Sequence, residues 1–172
     1  MGTKQCDNKS VGILVWEDDK LLMIERKKYN FGFAIPAGHQ DGDTPEETAQ
    51  KELFEEISLH AETFKKMLTK RLSNPCSRTG GTFHDWIIFE ATNWSGEIRP
   101  SSDETKSYLW ATKEEIRGMA QRLKNFASEQ NIPLEKDFLP QLVSVTNQQP
   151  SWEQNPGLEP PMYFLFKEIG IV

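Results

Sequence analysis

Three glutamates, Glu52, Glu55 and Glu56, have the spacing in this chain that best suits chemistry. In a helix, positions i, i+3 and i+4 lie on one face, so the three carboxylates would come together. Carboxylates held this close raise one another's pKa, and a hard cation such as Mg²⁺ removes that cost because it prefers carboxylate, water and phosphate oxygens. The segment 41–56 has seven acidic residues and one basic residue, enough to account for the net charge of −6 of the whole chain. The spacing therefore predicts a divalent-metal site, and a solvated acidic helix face is the alternative.

The residues around these glutamates predict the helix that would present them. Thr44 is a typical N-cap, Pro45 suits the first helical position, and Glu47 completes a capping box. An apolar stripe at i, i+4 and i+8 would face a core on another side of the same helix: Ala49, Leu53 and Ile57.

The segment 37–59 resembles the Nudix box, the signature of the Nudix hydrolase family: Gly-x5-Glu-x7-Arg-Glu-U-x-Glu-Glu-x-Gly-U, where U is a bulky aliphatic residue. Residues 51–59, KELFEEISL, match its second half, with Lys51 in place of Arg and Ser58 in place of Gly. The first half is offset by one residue. Either Ala37 takes the place of the first glycine with Asp43 as the acid, or the loop after Gly38 is one residue shorter.

The resemblance implies a Nudix-type α/β/α sandwich with a mixed β-sheet between helices. It also implies hydrolysis of the pyrophosphate in a nucleoside diphosphate linked to another group, with Mg²⁺ or Mn²⁺ as cofactor. By the same resemblance, Glu52, Glu55 and Glu56 would be catalytic metal ligands, and Glu52 could also orient or deprotonate the attacking water. A backbone carbonyl near Ala37 or Gly38 would be a further ligand, and we assign it to Gly38.

Members of the family often supply another acid from a later loop. In this chain the segment 101–104 offers Glu104 as the first candidate metal ligand and Asp103 as the second. An ordinary polar turn is the alternative for both residues.

Three further residues are candidates for contacts with a substrate. Arg26, at the end of an apolar segment, could bind phosphate because a guanidinium can grip two oxygens at once. Phe33 and Trp86 could stack on a base, although aromatic residues on strands more often belong to a core.

The substrate class is a narrower question. Pro75 lies near the position where relatives that cleave ADP-ribose carry a proline, which favours ADP-ribose or a nucleotide sugar over nucleoside triphosphates and dinucleoside polyphosphates. A nucleotide sensor that binds without cleaving is the alternative function, motivated by Lys51, Ser58 and the shortened loop. A purely structural acidic domain is the third class.

Composition limits the setting of the protein. A chain of 172 residues with 37% hydrophobic residues can bury one ordinary core, which predicts a single domain over residues 1–172. A pI near 5.2 argues against binding of long nucleic acid, and no apolar run is long enough to span a membrane. We therefore expect a small phosphorylated nucleotide as the partner.

The cysteines and histidines show no metal-ligand pattern. Cys6 and Cys76 are far apart, and His39, His60 and His84 are dispersed. We therefore expect packing or surface roles for the histidines, free thiols, and the reducing cytoplasm as the location.

Hydrophobic periodicity gives the order of the remaining elements. Strands are predicted at 10–16, 21–25, 31–36, 64–72, 82–92 and 106–110. Thr112 begins a second capping box, which opens a helix with an apolar face: Ile116, Met119, Leu123 and Phe126.

The chain from about residue 130 to 172 has a different texture. It contains six of the ten prolines, which predicts loops and short helices packed on the domain as an extension. A closing helix that ends at Gly170 would bury an apolar face against the domain or against a second copy in a homodimer: Met162, Leu165, Phe166 and Ile169.

Overall fold

The computed structural model describes residues 4–172. Within them the strands are β1 (Lys9–Leu14), β2 (Trp16–Glu17), β3 (Lys20–Arg26), β4 (Phe33–Ala34), β5 (Ala37–His39), β6 (His60–Leu72), β7 (His84–Ser95) and β8 (Thr105–Ala111). The helices are α1 (Pro45–Ile57), α2 (Lys113–Glu129), α3 (Leu139–Gln148), α4 (Pro150–Gln154) and α5 (Pro160–Glu168), with a short 3-10 turn at Lys136–Phe138. None of the helices in this part of the chain has the length and apolar composition needed to cross a membrane.

The first sheet is mixed and has the strand order β5-β1-β7-β6. Strand β1 pairs parallel with β7 and antiparallel with β5, and β6 pairs antiparallel with β7. This arrangement places the short strand β5, which leads into helix α1, along the edge of the sheet.

The second sheet is built on β3, which pairs antiparallel with β2, β4 and β8. The predicted single strand at 10–16 is wrong, because the chain leaves the first sheet after Leu14 and enters the second at Trp16. Residues 11–15 are all buried, and their apolar run continues up to Trp16, so it gives no signal of the break.

Alternate residues of the strands contribute to two cores. On β3, Leu21 and Met23 face one core and Leu22 and Ile24 face the other. The α1 core packs helix α1 against the strands through Val11, Ile13, Val15, Leu22, Ile24, Ala49, Leu53, Ile57, Leu59, Phe89 and Ala91. The C-terminal core packs α2, α3 and α5 on the opposite side and includes Leu21, Met23, Ile35, Leu123, Leu142 and Phe166. The strands thus lie between two helical layers.

Both predicted capping boxes are present. The Thr44 hydroxyl accepts from the Glu47 N–H at 3.2 Å, and the Glu47 carboxylate accepts from the Thr44 N–H at 2.9 Å. Thr112 and Glu115 make the same pair of bonds at the start of α2. These contacts confirm the starts predicted for the two helices.

The C-terminal residues contact the domain through backbone as well as side chains. The Phe33 N–H donates to the Gly157 carbonyl and the Glu159 N–H donates to the Phe33 carbonyl, each at 2.9 Å. The Leu158 N–H donates to the Met119 carbonyl at 3.0 Å. The segment 157–159 therefore joins strand β4 to helix α2.

Candidate active site

Helix α1 brings two of the three predicted glutamates to one cleft. Because Leu53 is fully buried against the strands, Glu52 and Glu56 are turned toward the loop before the helix. Their cleft has a volume of about 250 Å³, and its lining includes Arg26, Lys28, Tyr29, Ala37, Gly38, Trp86 and Glu104. Glu55 is exposed and influences Glu52 through its charge.

Glu56 is almost completely buried, at 1% exposure. Its Oε2 accepts from the Ala37 N–H at 3.1 Å, and its Oε1 accepts from Arg26 Nη1 at 3.4 Å. Burial raises the pKa of Glu56 to about 7, although Arg26 and the Ala37 N–H oppose the rise. These contacts fix the carboxylate against the loop.

Glu52 occupies space that only a glycine at position 38 leaves open. A Cβ on Gly38 would lie 2.1 Å from the Glu52 carboxyl carbon, so any other residue at position 38 would force the Glu52 carboxylate out of its place. Burial raises the pKa of Glu52 to about 8, with further contributions from Glu56, Glu55 and Glu104. Two carboxylates are thus held together in a site that disfavours their charged forms.

The geometry of β5 decides which backbone carbonyl faces the glutamates. In an antiparallel pair, the N–H and C=O of one residue point to the same side, and successive residues alternate. The Ile13 N–H donates to the Pro36 carbonyl, so Pro36 and Gly38 face β1, whereas the Ala37 N–H points at Glu56. The Ala37 carbonyl therefore points toward the acidic cluster, and Gly38 contributes space.

Arg26 lies between two buried acids. Its Nε donates to Glu159 Oε2 at 2.8 Å, and its Nη1 contacts Glu56. Burial opposes the charge of Arg26, but Glu159 and Glu56 outweigh it and raise its pKa above the usual value for arginine. Burial also raises the pKa of Glu159, and Arg26 opposes that rise. Nothing in the sequence around Glu159 marks it as part of the site, because it lies 133 residues from Arg26.

Glu104 lies just before β8 and lines the cleft with its side chain exposed. Its charge raises the pKa of both Glu52 and Glu56, which places it near them. Asp103 is exposed and is not among the residues that line the cleft.

The two predicted stacking residues have different positions. Trp86 lines the cleft but is only 5% exposed, and its Nε1 donates to Asn74 Oδ1 at 3.0 Å. Phe33 packs against the C-terminal core and does not line the cleft. Tyr29, which the sequence did not single out, lines the cleft at 39% exposure.

The departures from the box leave the glutamates in place. Lys51 is exposed, and its Nζ lies 3.8 Å from Asp43 on the outer side of the helix. Ser58 has a φ of 61°, and its N–H bonds to the Leu53 and Phe54 carbonyls. The helix therefore ends in a left-handed residue, as it would with glycine.

The structure also assembles a group that the sequence did not predict. Cys6, His39, Cys76 and His84 each offer one ligand atom, and these atoms all lie within 4.8 Å of one another. We call them the Cys2His2 cluster. The sequence gives no sign that these residues come together, because four separate segments converge here and no local spacing records it.

The acidic residues fit a hard divalent cation. Glu52, Glu56 and Glu104 offer carboxylate oxygens, and Ala37 offers a carbonyl, which is the oxygen-rich donor set that Mg²⁺ or Mn²⁺ prefers. The Glu52 carboxylate lies in the space that the missing side chain of Gly38 leaves open.

Comparison with known proteins gives the family and the fold. The family model described as the NUDIX domain matches residues 7–132. The solved structures similar to this chain include a MutT NUDIX hydrolase from Burkholderia pseudomallei, at 21% identity and a TM-score of 0.54, covering 62% of this chain and 84% of that one. They also include a NUDIX hydrolase from Nitrosomonas europaea, at 21% identity and a TM-score of 0.54, covering 64% and 76%. A third is described as a UDP-X diphosphatase, at 16% identity and a TM-score of 0.52, covering 66% and 53%.

These structures confirm the predicted α/β fold. A sequence search of curated proteins gave no significant match. The family model covers well over half of the chain and includes the acidic helix and the lining of the cleft apart from Glu159. The chain therefore belongs to the Nudix hydrolase family, whose members are pyrophosphohydrolases that generally act on derivatives of nucleoside diphosphates.

Proposed function

We propose that this enzyme uses Mg²⁺ or Mn²⁺ to cleave the pyrophosphate of a nucleoside diphosphate linked to another group, such as ADP-ribose or a nucleotide sugar. The observation that carries the proposal is the pair Glu52 and Glu56. Both carboxyl groups have a raised pKa and lie in one cleft, beside the Ala37 carbonyl. Such a pair is costly without a cation and favourable with one.

The carboxylates have different roles in this proposal. Glu52, Glu56 and Glu104 would hold the cation, which when bound neutralises phosphate charge and lowers the pKa of a water molecule. Glu56 is already engaged by Arg26 and Ala37, whereas Glu52 is the carboxylate turned into the cleft. Glu52 is therefore the residue placed to accept a proton from the attacking water. Glu55 remains a ligand candidate, although it is exposed and does not line the cleft.

Basic side chains on the cleft wall support a phosphate-bearing substrate. Lys28 and Arg78 both line the cleft. Arg26 was the predicted phosphate ligand, but two of its nitrogens already bond to Glu56 and Glu159, so its main role here is to hold Glu56. We assign phosphate contact chiefly to Lys28, which is exposed.

The group linked to the diphosphate is inferred from weaker support. Pro75 immediately precedes Cys76, which lines the cleft, and one structure of similar fold is described as a UDP-X diphosphatase. Tyr29 is better placed than Trp86 to stack on a base, because it is exposed and Trp86 is buried with its N–H engaged.

The proposal is tested by incubating the protein with Mg²⁺ and ADP-ribose, nucleotide sugars, dinucleoside polyphosphates and nucleoside triphosphates, in parallel with Glu56→Gln. We expect turnover of a diphosphate-linked substrate and a loss in kcat of roughly a hundredfold or more in the variant, since an acid–base or ligand carboxylate contributes at least that much. Glu46→Gln is the matched control, because Glu46 is an exposed acid on the same helix, outside the cleft. Tight binding without turnover would support a sensor, and full activity of Glu56→Gln would refute the site.

A further inference from the structure

The Cys2His2 cluster has short distances between its ligand atoms. The Cys6 and Cys76 sulfurs are 3.6 Å apart, and the Nε2 atoms of His39 and His84 are 3.2 Å apart. The Cys6 sulfur lies 3.4 Å from the His84 Nε2. Both cysteines are free, and 3.6 Å is far longer than a disulfide bond.

These distances match the edges of one tetrahedron. With Zn–S bonds of about 2.3 Å and Zn–N bonds of about 2.05 Å, tetrahedral geometry places two sulfurs about 3.8 Å apart, a sulfur and a nitrogen about 3.6 Å apart, and two nitrogens about 3.3 Å apart. The three observed distances of 3.6, 3.4 and 3.2 Å are each slightly shorter than these values. Three of the six distances among the four ligand atoms thus suit one such ion, and all six are within 4.8 Å.

Neighbouring groups orient the ligand atoms. The Nδ1 of His84 lies 2.8 Å from the Asn74 carbonyl and 3.1 Å from Asn74 Nδ2. The shorter contact is to a group that can only accept, so it favours the tautomer with the proton on Nδ1 and a lone pair on the Nε2 that faces the cluster. The Cys6 sulfur accepts from the Asn8 N–H at 3.3 Å, and the Cys76 sulfur bonds to the backbone of Arg78. Outer contacts of this kind are typical of metal-binding histidines and thiolates.

The backbone around Cys76 is shaped to admit its sulfur. A Cβ on Gly81 would lie 2.2 Å from the Cys76 sulfur, so position 81 requires glycine. The Cys76 N–H donates to the Gly81 carbonyl at 2.9 Å, and the Cys6 N–H donates to the Thr79 carbonyl at 2.8 Å. The loop between β6 and β7 and the segment before β1 are therefore already joined at this point.

We propose that Cys6, His39, Cys76 and His84 bind one Zn²⁺ in a four-coordinate structural site. Two thiolates and two imidazoles in a tetrahedron suit Zn²⁺, whereas Mg²⁺ requires oxygen ligands. All four ligands come from the protein, which is the pattern of a structural site rather than a catalytic one.

The ion would tie four segments into one wall of the cleft. Cys6 precedes β1, His39 ends β5, Cys76 lies in the β6–β7 loop and His84 begins β7. Three of them line the cleft, and His39 follows Gly38, the residue that gives Glu52 its space. Zn²⁺ would therefore hold these segments together at the side of the cleft that they line.

Metal content tests the proposal on the full chain, purified with a reductant in buffer without chelator. Elemental analysis by inductively coupled plasma mass spectrometry should find one Zn per chain. X-ray absorption at the zinc edge should show a coordination shell of two sulfurs and two nitrogens. Co²⁺ exchanged into the site should produce a thiolate charge-transfer band and the intense visible bands of tetrahedral Co²⁺. A protein that takes up no Zn²⁺ under these conditions, or whose absorption shows only oxygen ligands, would overturn it.

Variants assign the ligands. His39→Asn and Cys76→Ser should each weaken Zn²⁺ binding by more than the roughly 10–100-fold that loss of an outer-shell partner costs. The matched control is His60→Asn, because His60 is exposed and bonds instead with Gln50. Equal Zn²⁺ content in His39→Asn and His60→Asn would refute the ligand set. If a variant fails to fold, the Co²⁺ spectrum of the parent protein still decides.

The measurement is independent of hydrolysis. Glu56→Gln should lose activity and keep its Zn²⁺, whereas Cys76→Ser should lose Zn²⁺ whatever the substrate proves to be. A disulfide between Cys6 and Cys76 that forms even when the protein is purified with a reductant and Zn²⁺ would contradict the proposal. Peptide mapping by mass spectrometry would reveal it.

Discussion

Glu56 and Glu159 share a single buried positive charge, the guanidinium of Arg26. Arg26 bonds to both carboxylates, and all three side chains are at most 16% exposed. One guanidinium can balance only one of the two acids, and Glu52 and Glu104 add further negative charge at the same cleft. The residues of this site are therefore under-neutralised by the protein alone.

This imbalance predicts a linkage between pH, Mg²⁺ and stability. The pKa of Glu52 is raised to about 8 and that of Glu56 to about 7, above the value of about 4.3 for an unfolded glutamate. A raised carboxyl pKa means that the folded state binds more protons, so its contribution to stability is present below about pH 4.3 and is lost as the pH rises toward 8. We expect a loss of at least about 2 kcal/mol in the Mg²⁺-free protein, since each pKa unit corresponds to about 1.4 kcal/mol.

Thermal unfolding in resin-treated buffer, with and without Mg²⁺, measures this linkage. Mg²⁺ should raise Tm more near pH 8 than near pH 5. It binds the ionised carboxylates, and near pH 5 it would first have to displace their bound protons. Glu52→Gln should reduce the difference between the two pH values. A Tm increase that is equal at both would contradict the linkage.

Ser58 predicts a stabilising substitution. Its φ of 61° is a left-handed conformation, which costs a residue with a Cβ about 1–2 kcal/mol and costs glycine little. Ser58→Gly should therefore raise the free energy of unfolding by roughly 0.5–1 kcal/mol, allowing for the greater entropy of glycine in the unfolded chain and the lost bond from Ser58 Oγ to the Arg99 carbonyl. Urea unfolding measures it, with Ser58→Ala as the control that removes only the hydroxyl. Loss of stability in Ser58→Gly relative to Ser58→Ala would contradict the strain.

Sequence predicted the residues whose partners are local. Glu52 and Glu56 follow from helix spacing, and each lies within one helix that the capping box defines. Arg26 was located at the cleft, but its partners were not, because Glu159 comes from the far end of the chain. The Cys2His2 cluster was missed for the same physical reason, since tertiary packing alone brings its segments together.

At the scale of elements, the C-terminal helices hold the loop between β3 and β4. The Asn30 N–H donates to Asn147 Oδ1 at 2.6 Å, and Trp152 Nε1 donates to the Phe31 carbonyl at 2.8 Å. The same loop carries Lys28 and Tyr29, which line the cleft. Helices α3 and α4 thus position a wall of the active site without contacting the glutamates.

Asn147→Ala tests this positioning. It removes the bonds to Asn30 and should raise KM for the diphosphate substrate several-fold while changing kcat little, because Lys28 and Tyr29 lose their support but Glu52 and Glu56 do not. The stability cost should be about 1 kcal/mol, as for one or two hydrogen bonds. Gln148→Ala is the matched control, since Gln148 is exposed and bonds only within α3. An equal KM for both variants would contradict the role of α3.

Helix starts were predictable at this scale and strand partners were not. Thr44 and Thr112 define their helices through contacts within four residues. The strand assigned to 10–16 divides between two sheets, with Ser10 to Leu14 paired to β7 and Trp16 paired to β3. Its apolar run continues through the division, so only long-range pairing distinguishes the two parts. The closing helix was predicted correctly, with Pro160–Glu168 ending just before Gly170, since its apolar spacing is local.

At the scale of the whole molecule, the boundary of the family match does not coincide with the boundary of the core. The match ends at residue 132, but α3 and α5 supply fully buried side chains to the C-terminal core. We propose that the extension 133–172 is an integral part of one folded domain. Its removal would uncover the face of α2 that carries Leu123 and Phe126 and would leave Arg26 without Glu159.

A truncation after residue 132 should therefore not fold cooperatively. Burial of one large apolar side chain contributes about 1.5–3 kcal/mol, so the loss of six removes about 9–18 kcal/mol, as much as a typical net stability of about 5–15 kcal/mol. At least six such residues are removed: Leu139, Leu142, Trp152, Leu158, Leu165 and Phe166. Circular dichroism during heating should show no sigmoidal transition for residues 1–132.

The matched control has the same break in the chain but keeps the extension. A protease site placed in the loop 130–135 between α2 and the 3-10 turn, cleaved after folding, yields the fragment 1–132 still associated with its partner segment. This nicked protein should unfold cooperatively and retain hydrolysis, because the buried contacts do not depend on the covalent link. Its Tm should be lower than that of the intact chain and should rise with protein concentration, because the two fragments separate on unfolding. Cooperative unfolding of the isolated 1–132 fragment with undiminished activity would show that the extension is an accessory, and that the charge of Arg26 needs only Glu56 to be tolerated in the interior.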